Sequence, residues 1–202
     1  MVRATKKLLQ RVGRSSVPDG DRSTTLLGDW YASALLWRPQ QVILLVNEVT
    51  LLPVLMPLAP AATASARIGE EIAAALAAHQ APRSIIDEEL SRMRDCRFGP
   101  TANRSVVGVM NDFKRLAEVY RSTDPAQGLL DLGMRLATTP CSPLYRSHVS
   151  PDRELQALLR SAAPPPQPSR YVRRHQDSLR AYRPRMRIYL CQCRSARTDG
   201  WS

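Results

Sequence analysis

The sequence predicts an α+β fold built on a small antiparallel sheet. Three observations lead there. Short, strongly apolar segments crowd between residues 27 and 56, separated by turn-forming residues. Segments with apolar residues three and four apart follow, up to about residue 161. From residue 164 that periodicity fades, and proline and arginine take over. The expectation is a three-stranded meander with a candidate fourth strand, covered by about five helices, in one domain over residues 1–163. A proline-rich linker and a disordered Arg-rich tail are expected over 164–202.

Each element has a local reason. Thr5 is placed to cap a helix from Lys6 to Val12, with Leu8, Leu9 and Val12 on one side. A loop rich in Ser, Pro, Gly and Asp follows, over 13–23. The first strand is read over 27–37, from Trp30, Tyr31, Leu35, Leu36 and Trp37. Arg38-Pro39-Gln40-Gln41 turns the chain, because proline presets the turn dihedral. The second strand, Val42 to Val46, is apolar throughout and therefore central. After the turn Asn47 to Thr50, the third strand runs over 51–56. Pro53 lacks a ladder donor, which places that strand at an edge or a bulge.

Helices come next. Thr63 or Ser65 starts one that reaches about His79, with Ile68, Ile72 and Leu76 four apart. Pro82 opens another to about Met93, with Ile85, Ile86, Leu90 and Met93 facing the core. The candidate fourth strand is 95–99. Arg104 to Arg121 carries the clearest pattern, with Val106, Met110, Phe113, Ala117 and Tyr120 stepping by four and three. Asp124-Pro125 reads as a cap and first-turn proline for a helix to about Leu136. Ser150-Pro151-Asp152 repeats that signal for a last helix ending near Ser161.

The 202 residues carry a net charge of +11, unevenly spread. Nine Arg and two Asp give the tail from residue 164 a charge of +7, leaving +4 on the body. A body at +4 needs no polyanion to explain it. Arg outnumbers Lys 26 to 3 throughout the chain, which reads as coding bias. The four cysteines, Cys96, Cys141, Cys191 and Cys193, lack the spacing of a stapled scaffold or a zinc site, so no metal and no cofactor are expected. The apolar run of the N-terminus is two residues long, and the greasiest segment, 42–62, is broken by three prolines, Asn47 and Glu48. Neither a signal peptide nor a membrane span is predicted, and the expected location is the cytoplasm.

Several segments resemble a family of prokaryotic hypothetical proteins described only as a domain of unknown function. They are Arg3-Ala-Thr-Lys-Lys-Leu-Leu9, Leu27-Gly-Asp-Trp-Tyr-Ala32, Leu44-Leu-Val-Asn-Glu48, Asn103-Arg-Ser-Val-Val-Gly-Val-Met-Asn-Asp-Phe113 and Thr139-Pro-Cys141. The resemblance covers residues 3 to about 160. It implies a shared α+β fold and carries no activity, so no catalytic residue is assigned.

The candidate sites are polar. Arg104 and Asn111 are seven apart, about 20° in helical projection, with Gly108 between them and Asp112 alongside. One reading is a notch with Arg104 for an anion and Asn111 and Asp112 for hydrogen bonding. The other is that Gly108 admits a close strand while the polar pair ties a loop. Asn47-Glu48 is either a turn or an acid/base facing that notch. Cys141 with His148 suggests a nucleophile and base, but no oxyanion pattern or third group accompanies them. Phosphate-binding glycine loops and the nucleophile elbow are absent from the sequence. In the tail, Arg170, Arg173, Arg174, Arg183 and Arg185 interleave with tyrosines, a composition suited to nucleic acid. The expected function is a non-enzymatic binding or interaction module for a protein partner or small polar ligand. The alternatives are nucleic-acid association through the tail and an enzyme using Glu48, Asp112 or Cys141.

Overall fold

A computed structural model describes residues 1–12, 25–94 and 97–162. The chain is α+β, as expected, but its sheet has five strands and is mixed. They are β1 (Val2–Ala4), β2 (Trp30–Leu35), β3 (Val42–Asn47), β4 (Pro53–Pro57) and β5 (Phe98–Pro100), in the spatial order β4-β3-β2-β1-β5. The antiparallel meander is β2-β3-β4. β1 adds a parallel partner to β2, with Val2 opposite Trp30, and β5 runs parallel to β1. A three-residue strand is too short for a periodic signal. Val2–Ala4 is a strand because a neighbour on each side pairs its backbone groups.

Six α-helices lie among the described residues: α1 (Lys6–Val12), α2 (Ala64–Ala78), α3 (Arg83–Arg92), α4 (Arg104–Thr123), α5 (Leu129–Ala137) and α6 (Pro151–Ala162). The sheet divides the core into two. Trp30, Ala32, Ile43, Leu45, Val54 and Met56 point to one face, which packs against α1, α2 and α6. Tyr31, Leu35, Val42, Leu44, Val46 and Leu55 point to the other, under α4 and α5. β3 is buried along its whole length because helices cover both of its faces. Pro53 lies in the edge strand β4, as its missing N–H requires. α5 crosses close above that edge: a Cβ on Gly133 would sit 3.5 Å from the Pro53 carbonyl oxygen.

Several elements differ from expectation. β2 begins at Trp30, not Leu27, because the segment before it is held by other bonds. Glu89 of α3 is 1 % exposed, and its carboxyl group accepts Leu26 N–H (2.7 Å), Leu27 N–H (3.2 Å) and Trp30 Nε1–H (3.1 Å). The most buried position of α3 is therefore this acid, and Ile85, Ile86 and Leu90 lie only partly buried beside it. Gly28, at φ 87°, takes the left-handed conformation that turns the same segment into the strand. Asp124-Pro125 does not start a helix. The Asp124 N–H bonds the Tyr120 carbonyl and closes α4, while α5 starts after Gly128. Thr5 caps α1 through its carbonyl, which accepts the Leu8 and Leu9 N–H groups; its hydroxyl meets Ser33 Oγ at 3.3 Å. Gly108 is no close-approach glycine. It is exposed, and a Cβ there would meet nothing within 4 Å.

Glu89→Ala strands three buried donors and should lower the unfolding free energy in urea by about 3 kcal/mol or more, with Glu89→Gln intermediate. Wild-type midpoints in both variants would show that the carboxyl group is not the anchor. At Gly133 an added methyl makes ordinary contact, so Gly133→Ala should melt within a few degrees of wild type, whereas Gly133→Leu, pressed on the β4 backbone, should cost about 1–3 kcal/mol by the same measurement.

Candidate functional site

One end of the sheet gathers polar side chains from distant segments. Arg3 on β1 lies opposite Tyr31 on β2, so the two share a face. Arg3 Nε donates to Asp29 Oδ2 at 2.6 Å, and both side chains are largely buried. Tyr31 is 1 % exposed; its hydroxyl accepts the Asn103 N–H at 3.0 Å and lies 3.5 Å from Glu48 Oε1. Asn103 Nδ2 donates to the same Glu48 oxygen at 3.1 Å, while Asn103 Oδ1 caps α4 by accepting Ser105 N–H at 3.0 Å. Burial pushes the Tyr31 hydroxyl upward, only partly offset by the Asn103 N–H, so it remains a phenol that donates. The network fixes the start of α4 to the sheet.

Asn47 and Glu48 therefore part company. Asn47 is fully buried: Oδ1 accepts Val49 N–H, Thr50 N–H and Thr50 Oγ1–H, and Nδ2 donates to the Leu27 carbonyl at 3.0 Å. It builds the turn and faces no ligand. Glu48 is half-buried and holds Asn103, at the first turn of α4. The helix notch divides as well. Arg104, Asn111 and Asp112 are all exposed. Asn111 Oδ1 lies 3.4 Å from Lys114 Nζ, whereas Asp112 pairs with Arg115 at 3.8 Å and lies close enough to Cys141 to act on its thiol. Adjacent residues on a helix point about 100° apart, so Asn111 and Asp112 serve opposite flanks of α4.

On the Asn111 flank, Lys114 is half-buried. Burial lowers its pKa, and the charge of Lys7 on α1 lowers it further. Among the described residues neither lysine has an acid within ion-pair reach. All three lysines of the chain, Lys6, Lys7 and Lys114, fall on α1 and on this flank of α4. The Thr5 and Ser33 hydroxyls lie beside the start of α1.

The thiol–imidazole pairing is not formed. His148 Nδ1 meets Glu154 Oε2 at 3.0 Å, and Ser147 Oγ donates to that oxygen at 2.6 Å. Cys141 is buried, its Sγ 3.5 Å from the Thr139 carbonyl, and burial pushes its pKa to about 11. Among the described residues no group of three or more His, Cys, Asp or Glu is arranged to hold a metal ion, and no helix is long and apolar enough to cross a membrane. Arg170, Arg173, Arg174, Arg183 and Arg185 lie outside the described residues.

A family model described as Domain of unknown function (DUF6933) matches residues 1–154. The chain belongs to that family. No curated protein and no solved structure matches it. In this DUF6933 chain, the four segments starting at Arg3, Leu27, Leu44 and Asn103 supply Arg3, Asp29, Tyr31, Glu48 and Asn103 to one network, and the first and last also supply Lys7 and Asn111. Sequence reasoning passed over Lys7 and Lys114 because both sit on ordinary amphipathic helices. The one available signal was the rarity of lysine among so many arginines.

At pH 8 a thiol with a pKa near 11 is thiolate to roughly one part in a thousand. Peptide mapping after brief iodoacetamide treatment should therefore find Cys141 unmodified in the folded chain and modified in urea. Rapid labelling without denaturant would show it accessible.

Proposed function

We propose that this DUF6933 chain is a non-enzymatic binding module, and that a small anion meets the flank of α4 facing α1. The observation that carries the reading is that the charge of Lys7 acts on the half-buried Lys114 while, among the described residues, neither lysine is paired with an acid. Two like charges held together repel, and an anion placed between them relieves that repulsion. Arginine dominates this chain elsewhere, so lysine at both positions suits a compact, three-donor point charge more than a planar fork. Asn111 Oδ1 accepts from the Lys114 amine and so orients it. Arg104, exposed at the start of α4 and seven residues before Asn111 on the helix, adds positive charge to the same helix.

Binding is favoured over catalysis by what the candidate acid, base and nucleophile are doing. Glu48 accepts hydrogen bonds from Asn103 and Tyr31, Cys141 is held protonated, and Asp112 faces away from the lysines toward Arg115. The domain assignment follows the same lines: residues 1–163 form the binding body, and 164–202 are an appendage that the proposed site does not require.

Inorganic phosphate is the probe. Titrated into the full chain at constant ionic strength, it should raise the melting temperature relative to chloride. Lys114→Met should abolish that rise, while Arg83→Gln, on the exposed face of α3, should retain it. An equal rise in Lys114→Met would reject the lysine site.

A further inference from the structure

A second cleft lies at the other end of α4, and nothing above assigns it a role. It encloses about 330 Å³ between the β2–β3 turn and the segment joining α4 to α5. That volume is at the small end of the range for ligand sites. Its walls include Trp37, Pro39, Arg121, Asp124, Pro125 and Gln127. The Arg121 guanidinium lies over the Trp37 ring, 4.9 Å from the centroid, and Nη2 donates to the Arg38 carbonyl at 2.8 Å.

Two residues of this wall each hold a buried polar atom with no hydrogen-bond partner among the described residues: Trp37 Nε1, a donor, and Gln127 Oε1, an acceptor. Trp37 itself is only 9 % exposed. Buried polar groups are normally paired, so two such atoms on one cleft point to something that pairs them. A matching ligand presents an acceptor and a donor together. It is flat, because the space is bounded by a stacked guanidinium and two proline rings. It carries little net charge, because Arg121 and Asp124 face the same space with opposite signs. Base edges of nucleosides combine all three properties, and they stack readily on arginine planes and aromatic rings.

We propose that this cleft binds a nucleobase, with Trp37 Nε1–H donating to a ring acceptor and Gln127 Oε1 accepting from a base N–H. The Arg121 side chain beside it is half-exposed, and its hydrogen bond to the Arg38 carbonyl lies on the surface. The site is independent of the lysine pair and involves none of the same residues.

The test follows the Trp37 indole N–H resonance of the full ¹⁵N-labelled chain during titration with adenosine, guanosine, cytidine and uridine, and separately with a single-stranded hexanucleotide. Saturable movement of that resonance, and about tenfold weaker binding in Gln127→Leu, is the expected result, matching the loss of one hydrogen bond. Response to the free nucleosides identifies a small-molecule ligand, and response to the oligonucleotide alone identifies a base within a strand. An unmoved indole resonance with every probe overturns the proposal. So does unchanged affinity in Gln127→Leu, whose folding is checked by the dispersion of the same spectrum.

Discussion

The entry into the central strands of this sheet depends on a carboxyl group buried where a helix would ordinarily place leucine. Glu89 cannot stay inside the core without donors, and it takes them from the backbone at Leu26 and Leu27 and from the Trp30 indole. Those three bonds pin the segment that enters β2. Asn47 pins it from the opposite side through the Leu27 carbonyl, while its own Oδ1 organises the turn after β3. With the Trp30–Asn47 end of the β2–β3 pairing held from both sides, register is set there, and a slip of one residue would exchange the Trp30 face with the Tyr31 face.

That register is what makes one face partly polar. Trp30 and Ala32 enter a layer that is apolar apart from Glu89, whereas Tyr31 and Ser33 look toward α4. The insertion of β1 between β2 and β5 brings Arg3 and Thr5 alongside them, and α1 then carries Lys7 to the flank of α4. The start of α4 is tied down by Tyr31 and Glu48, so Asn111 and Lys114 stand at fixed heights above the sheet. Rigid elements thus carry the basic flank, and no loop is needed to complete it.

Lysine among many arginines has a physical meaning here that composition alone did not give. An ammonium loses its proton more readily than a guanidinium when it is crowded and partly buried, and Lys114 is both.

By itself the sequence determined the α+β class, the meander, the placement of Pro53 at an edge and most helix spans, because these rest on local periodicity and on what proline can and cannot donate. It misplaced the start of α5, where Asp124-Pro125 carries a start signal but the Asp124 N–H is already spent closing α4. Only the tertiary structure decided that Val2–Ala4 is a strand, that Glu89 is core, that Asn111 and Asp112 serve opposite flanks, and that the charge of Lys7 acts on Lys114. Each of these depends on pairing between residues far apart in the chain. Such partners leave no mark in any window short enough to read as a helix or a strand.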